Sequence, residues 1–454
     1  MALRQQTASD YLLGTSREYA IYICESRGLP NVADGLKDVQ RKALWLMRNK
    51  GEKIKTVAMS GEMISSNLYL HGDSSASDAI SKLAAPYANN ITLLHGIGNF
   101  GTRIAPIKGI GAPRYTYVKK SKVTESLVYP DLSIVPLKEN YDGSVMEPVH
   151  FLPIVPLVLL NGISGIAQGW STDIFPHSLK DLIKATEQAI KGDKIDDIKP
   201  HYELFDLDIN HVEGNTWEFI GKAEIPDSST ILVTELPPDL TLEQFKTRLN
   251  SMEEDGKINS YVDRSTDKIN ITIKMARGSV KDWTKEKAID FLKLKQKGTQ
   301  RFVVIDFDGT SIRQYDTVQN LVTDFVANRL KWYKRRYEAF IEDASDELLF
   351  WEALKLCFDK KLPSKIQGFK NRAEVDTAVR AICKSLDLED RHIDRIVGLP
   401  IYRWALDAYD DVLAKIESLS KNIEAWDKIL SDEKNLKKIY LEELAELKKL
   451  KVNA

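Results

Sequence analysis

Cysteine is scarce in this 454-residue chain: Cys24, Cys357 and Cys383 are an odd number set far apart. They make neither a disulfide framework nor a zinc-ligand spacing, which points to a reducing compartment. Long apolar runs are missing as well. The longest, Phe151–Leu160, carries prolines and falls short of the ~20 residues that span a bilayer. The N-terminal residues MALRQQTASDYLLG have no signal-peptide core. These absences exclude a disulfide scaffold and a helical membrane protein, and a soluble cytoplasmic protein is expected. Net charge is nearly absent too, at −2, so the molecule as a whole announces no polyanionic partner. Neither an internal repeat nor a low-complexity segment appears. What remains is a globular composition, 43% hydrophobic and 29% charged, long enough for about two to four domains.

The charge is segregated, however. Lys37 to Lys55 holds seven Lys/Arg against Asp38 and Glu52, and Thr102 to Thr124 holds six with no acid at all. Arg329, Lys331, Lys334, Arg335 and Arg336 form a third group, while acids gather at Asp343–Glu347 and Asp387–Asp390. A basic stretch is usually a solvated face. Here two of them flank a helical pattern. Ala33 to Met47 runs apolar at helical spacing through Leu36, Val39, Ala43 and Leu46, with Asp34 as its expected cap. Short helices are expected over 57–69 and from Asp73 or Ser74 to about Ala85, giving a helix-turn-helix arrangement. That coincidence makes an electrostatic footprint for a nucleic-acid backbone.

Downstream the pattern changes twice. From Ile91 to Gly169 the helical period is lost, and Ser133–Pro136 and Pro153–Leu160 read as β-type runs. Residues 180–310 alternate strands (230–234, 269–274, 302–305) with helices, an α+β domain. Then Val326, Leu330, Tyr333, Tyr337, Phe340 and Ala344 step by four and three, and so do Val412, Ile416, Leu419, Ile423, Trp426 and Leu430. This 3.5-residue seam predicts two long helices that leave and return as an antiparallel coiled coil, with a small helical tip at about 360–400. The fold class expected is therefore a multidomain α+β chain: residues 1–25 an N-terminal arm, 26–175 a helix-turn-helix (winged-helix) domain, 176–317 an α+β domain, and 318–454 the coiled coil.

Several constellations carry chemistry. Arg114 precedes Tyr115 in a glycine-rich basic stretch, Gly109 to Lys120. A phenol is a poor nucleophile near neutral pH unless its anion is stabilised, and a guanidinium fork both supplies charge and fits phosphate oxygens. Tyr117 is the nearest rival, and an isolated Arg-Tyr is more often loop packing. His71 stands at a helix N-terminus, where anions collect. Asn161 to Gly169 is a glycine-dense turn that presents Ile163 and Ile166, and an apolar wedge of this kind can enter a base step. Two decoys fail. Asp306-Phe-Asp-Gly-Thr310 has the form of a haloacid-dehalogenase-type phosphatase motif but precedes a coiled coil. Gly214…Gly221-Lys222-Ala223 has the wrong gap for a P-loop and no hydroxyl for magnesium.

The order of motifs resembles the breakage–reunion (gyrase-A-like) subunits of type IIA DNA topoisomerases. Asp34-Gly-Leu-Lys…Arg41-Lys42, His71-Gly-Asp73, Gly98-Asn-Phe-Gly101, Pro113-Arg-Tyr115, Asn140-Tyr-Asp-Gly143, Asn161-Gly…Gly165-Ile166 and Gly169-Trp-Ser-Thr172 follow one another in that family's order. The resemblance implies that Tyr115 is the nucleophile joined to a 5′ phosphate and that Arg114 and Arg27 act at the reacting phosphate. It implies DNA contacts by Lys37, Arg41, Lys42, His71 and Ser74, an intercalating Ile166, and drug-site positions at Ser74 and Asp78. It also implies a tower domain over 176–317 and a coiled-coil exit gate that closes a homodimer on double-stranded DNA. Asp38 replaces the family's usual proline, and Tyr69 and Leu70 replace a histidine-containing pair. Eukaryote-like details (Gln40-Arg41-Lys42, Gly169-Trp-Ser-Thr172) resemble the medium subunit of T4-type phage topoisomerases, hence the host-cell cytoplasm. No ATP site and no metal-binding acidic cluster is found in this chain, so Mg2+ and ATP are expected on a partner subunit. Without a wrapping domain, relaxation or decatenation is expected rather than supercoiling. The competing reading is a non-enzymatic architectural DNA-binding protein with a coiled-coil arm.

Overall fold

The computed structural model describes residues 7, 12–106, 110–140, 142–366, 368–400, 404 and 406–450. Most of the first eleven residues of the expected arm, Lys108 and Gly109 of the basic run, and Tyr141 of the Asn140–Gly143 motif lie outside the described residues, as do 451–454. Two compact units emerge, residues 1–329 with 441–454, and residues 330–440.

In the first unit the chain is helical from Leu12 to Gly28, widening to π-helical turns at Leu12–Ser16 and Cys24–Gly28. Helices α1 (Asp38–Met47), α2 (Thr56–Ser65) and α3 (Asp73–Ala84) follow. Small residues let them pack closely, with Ser77 Oγ donating to Ser60 Oγ at 3.0 Å and Ala43, Leu44, Met47, Met59, Met63, Ala76 and Ile80 buried. Strands β1 (Ile54–Lys55), β2 (Leu94–Ile97) and β3 (Tyr117–Lys120) form an antiparallel sheet in the order β1-β3-β2. The connectivity is thus helix, strand, helix, helix, strand, strand.

Two local expectations are corrected. Helix α1 starts at Asp38, not at Asp34, because the Asp34 carboxylate bonds Leu36 N and Phe151 N instead. The cap is Lys37, whose backbone N donates to Gln40 Oε1 at 3.0 Å. The apolar run expected as a strand at 153–160 is buried throughout but irregular, with a short helix at Leu157–Leu160, and Leu132–Ile134 is a 3-10 turn. Pro153 and Pro156 remove the donors that a central strand would need.

Residues 208–299 build a four-stranded antiparallel sheet in the order 222–227, 230–235, 271–274, 260–263, and a three-stranded sheet from 295–299, 216–220 and 208–213. Helices Leu242–Glu254 and Lys285–Phe291 cover an apolar core that includes Ile231, Val233, Phe245, Leu249, Ile271 and Ile273. The expected boundary at 175/176 is not a break in packing. Phe175 meets Phe219 edge-on at 5.1 Å, Asp173 and Arg301 exchange backbone hydrogen bonds, and Arg103 reaches Glu235 at 3.2 Å and Leu236 O at 3.0 Å. The phosphatase-like Asp306–Thr310 is the turn of the hairpin Phe302–Ile305/Ile312–Tyr315. Asp308 accepts from Thr310 N and Ser311 N, both at 2.8 Å. An antiparallel hairpin with its carboxylate spent on the turn excludes the phosphatase reading.

Most of the 42-residue helix Val318–Asp359 belongs to the second unit. The chain returns as Leu406–Leu430 and, after a break at Ser431–Asp432, as Glu433–Leu447. Tyr333 stacks on Tyr440 (4.7 Å) and Phe340 on Trp426 (5.3 Å), while Tyr409 Oη donates to Asp359 Oδ1 at 2.7 Å. As one partner's number rises the other's falls, so the pair is antiparallel. Tyr333, Phe340 and Trp426 are positions of the 3.5-residue seam, and Tyr440 extends the packing beyond the break. The tip consists of the helices Leu362–Ile366, Arg372–Ile382 and Asp390–Val397 around a core that includes Phe350, Cys357, Val379 and Ile393.

Candidate active site and nucleic-acid interface

Tyr115 is displayed on a tight loop that the sequence pins from three sides. Tyr115 N donates to Ala112 O at 2.8 Å, closing a turn. The first backbone donors of α2 are satisfied by that loop, Thr56 N by Thr116 O (3.0 Å) and Val57 N by Pro113 O (3.1 Å), and the two threonine hydroxyls meet at 2.8 Å. Gly98–Gly101 buckles it from below, with Asn99 O accepting from Gly111 N at 2.7 Å and Asn99 Oδ1 from Gly101 N. The result is a phenol 69% exposed, with the Arg114 guanidinium 4.8 Å from its ring centre. Tyr117 faces differently. It is half-buried in β3, paired with Lys55 and Ile97, with the Lys53 and Lys55 ammoniums over its ring.

The second group forms around His71, just before α3. Arg27 Nη2 lies 3.0 Å from His71 Nδ1, and Tyr22 Oη lies 2.5 Å from Nε2. The Tyr69 ring meets the imidazole edge-on at 5.2 Å. Burial first, then the positive charge of Arg27, lowers the His71 pKa below that of an ordinary histidine, so the ring is neutral at physiological pH. Among the described residues no hydrogen bond or ring contact joins Tyr115 to Arg27 or His71.

Ile166 is the most exposed large apolar side chain described, at 87%. It sits on a hairpin, β4 (Ile163–Ala167) and β5 (Trp170–Ile174), closed by Gly169 at φ +81°. Gly165 lets that hairpin touch the Arg27 segment, since a Cβ there would lie 2.0 Å from Gly28 O. Lys37 Nζ donates to Ser164 O at 2.9 Å from the other side. Burial, and behind it Lys82, depresses the Lys37 pKa. Lys37, Asp78, Lys82 and Ser164 line one open cleft, and Ser74 is exposed at the start of α3.

Arg41 and Lys42, expected as DNA contacts, are held in ion pairs within the chain. Arg41 is 6% exposed and forks onto the fully buried Asp34 at 2.6 and 2.9 Å, with a third bond to Leu36 O. Lys42 Nζ is held by Asp38 (3.0 Å) and Glu147 (2.8 Å). The reason is distance in sequence: Glu147, 105 residues away, folds back over the basic run. Tyr22 was missed altogether, because nothing in its local sequence marks it.

Comparison with known proteins agrees with this architecture. A model of the A-subunit family of DNA gyrase and topoisomerase IV matches residues 27–445. The DNA topoisomerase medium subunit of Enterobacteria phage T4 is 29% identical over 438 residues, 94% of this chain and 96% of that protein. Mouse DNA topoisomerase 2-alpha is 30% identical over 354 residues, 72% of this chain but 23% of that protein, so the chain spans less than a quarter of the animal enzyme. The DNA-binding, cleavage and re-ligation domain of Plasmodium falciparum topoisomerase II shares the fold with a TM-score of 0.82 at 24% identity, over 97% of this chain and 65% of that one. With a family match over nearly its whole length and the matching fold, the chain belongs to the A-subunit family of DNA gyrase and topoisomerase IV.

Proposed function

We propose that this chain is the DNA cleavage–religation subunit of an ATP-dependent type II topoisomerase, with Tyr115 as its nucleophile. The observation that carries the reading is a pinned, exposed tyrosine under an arginine, in a chain of this family. The Tyr115 oxygen attacks a DNA phosphorus, the O3′–P bond breaks, and a 5′-phosphotyrosyl ester forms. The phenolic proton is lost, and the departing 3′ oxygen gains one. The reverse reaction reseals the strand without an external energy source, because the ester conserves the bond. Arg114 stabilises the charge that develops on the phosphate oxygens. Arg27 and the neutral His71 bind the phosphate, Lys37 and Ser74 hold the flanking backbone, and Ile166 wedges a base step open to bend the duplex.

On this reading residues 26–175 form the DNA gate with a winged helix, 176–317 the tower, and 318–454 the exit gate. Two copies present one tyrosine to each strand, and the passage of a second duplex relaxes or decatenates DNA. Magnesium supplies charge neutralisation to such a reaction when bound. Among the described residues no three His, Cys, Asp or Glu side chains gather as a ligand set, and no step is routed through a metal. A partner subunit that carries the metal and nucleotide sites completes the enzyme. The family match across both the helical gate and the coiled coil leaves no support for a purely architectural protein.

The test is a detergent-trapped adduct. Incubated with DNA, magnesium, ATP and the partner subunit, the wild-type chain and Tyr117→Phe are expected to be linked to a 5′ DNA end, and Tyr115→Phe is not. An adduct that survives in Tyr115→Phe contradicts the assignment.

A further inference from the structure

We infer that Tyr22 is a positioning residue for DNA cleavage: its hydroxyl, hydrogen-bonded to His71 Nε2, holds the imidazole in the orientation that supports Arg27. The inference rests on the cleavage site proposed above and adds a residue to it.

The argument is one of geometry. Arg27 Nη2 is 3.0 Å from Nδ1 and 3.4 Å from Nε2, nearly equidistant from the two ring nitrogens, so the guanidinium lies across the imidazole rather than along one lone pair. The group 2.5 Å from Nε2 is Tyr22 Oη, and this hydrogen bond fixes the orientation of the ring against which Arg27 rests. The groups that face the ring are Arg27 and Tyr22 from the N-terminal helical run, Tyr69 from the segment before His71, and Lys42 and Asp38 from α1. Burial first, then two cations against one carboxylate, lower the pKa of this ring.

Local structure explains how Tyr22 and Arg27, five residues apart, reach one imidazole. In an α-helix residues five apart point to different faces. Cys24–Gly28 is a π-helical turn, with Leu29 N bonded to Cys24 O at 3.0 Å. Hydrogen bonds from i to i+5 widen the turn and bring such residues toward one side, and π-turns of this kind recur at functional sites. The imidazole is thus clamped between a tyrosine and an arginine from the same helical run. The replaced residues before His71 fit this: Tyr69 supplies a ring edge, and Tyr22 the hydrogen bond.

A double-mutant cycle on cleavage tests it, using the chain with its partner subunit and scoring trapped adduct at saturating DNA. Tyr22→Phe keeps the ring that packs 6.4 Å from Tyr19 and removes only the hydroxyl. It is expected to slow cleavage about fivefold, the worth of one neutral hydrogen bond, with DNA affinity and melting temperature unchanged. Tyr22→Phe combined with His71→Ala is expected to cleave no more slowly than His71→Ala alone, since residues acting through one another are not additive. Losses that multiply, a wild-type rate in Tyr22→Phe, or a loss confined to DNA affinity would each overturn the role. Failure of the underlying reading looks different: Tyr115→Phe would then still form the adduct.

Discussion

The two basic stretches of this chain look alike in sequence and behave oppositely in the fold. In Lys37–Lys55, Arg41 and Lys42 are buried and paired with Asp34, Asp38 and Glu147. In the described part of Thr102–Thr124, Arg114 and Lys119 are exposed beside an exposed Tyr115. Part of that second stretch is also spent, with Arg103 on Glu235 and Lys120 on Glu125. Count of charge therefore says little about which cations can meet a phosphate. What decides is whether the tertiary fold brings a carboxylate to them. Helix α1 spends its inner face on structure and offers Lys37 at its start, whereas the loop keeps Arg114 in solvent.

The largest effect expected from this contrast is on stability. Asp34→Ala leaves the Arg41 guanidinium buried without its carboxylate and is predicted to cost about 3–5 kcal/mol, read as a lowered urea midpoint. Arg114→Ala, exposed and unburied, is expected to leave that midpoint within about 0.5 kcal/mol. Equal losses would erase the distinction between the two stretches.

Acid should act on the buried part of the same unit. His177 is fully buried with Nδ1 3.1 Å from Leu159 O, and burial pushes its pKa from the ordinary 6.5 down to about 4. The unfolded chain takes up a proton that the folded chain refuses between those values. Stability is therefore complete above pH 6.5 and falls as pH drops toward 4, by about 3 kcal/mol in all. His177→Gln is predicted to flatten that dependence in urea titrations at pH 7 and pH 5. An unchanged slope would mean that other groups carry it.

The smallest effect is on salt dependence. Arg114→Ala should reduce the slope of log affinity for DNA against log salt by about one unit, and Lys42→Met should leave it unchanged. A slope change in Lys42→Met would place that lysine on the DNA face.

Much of this was legible before the structure. Motif order pointed to the family, and the four-three spacing of Val326–Ala344 and Val412–Leu430 specified the antiparallel helices, because both signals are local or periodic. The misplaced features share one cause. Asp34 read as a helix cap because its partners Arg41 and Phe151 meet it only in three dimensions. Pro153–Leu160 read as a strand because apolar content outweighed Pro153 and Pro156. Tyr22 carried no motif, and its part depends on a π-turn that no residue pattern announced. The packing of Phe175 on Phe219 across the boundary drawn at 175/176 was hidden for the same reason.

The central claim is that the exposed phenol beside Arg114 is the group that holds broken DNA. The most direct measurement is peptide mapping of the trapped complex: digest the protein from the adduct and sequence the peptide left on the 5′ DNA end. The account predicts the peptide containing Arg114-Tyr115, with the nucleotide on Tyr115. Attachment at Tyr117, or on any peptide outside this loop, would contradict it.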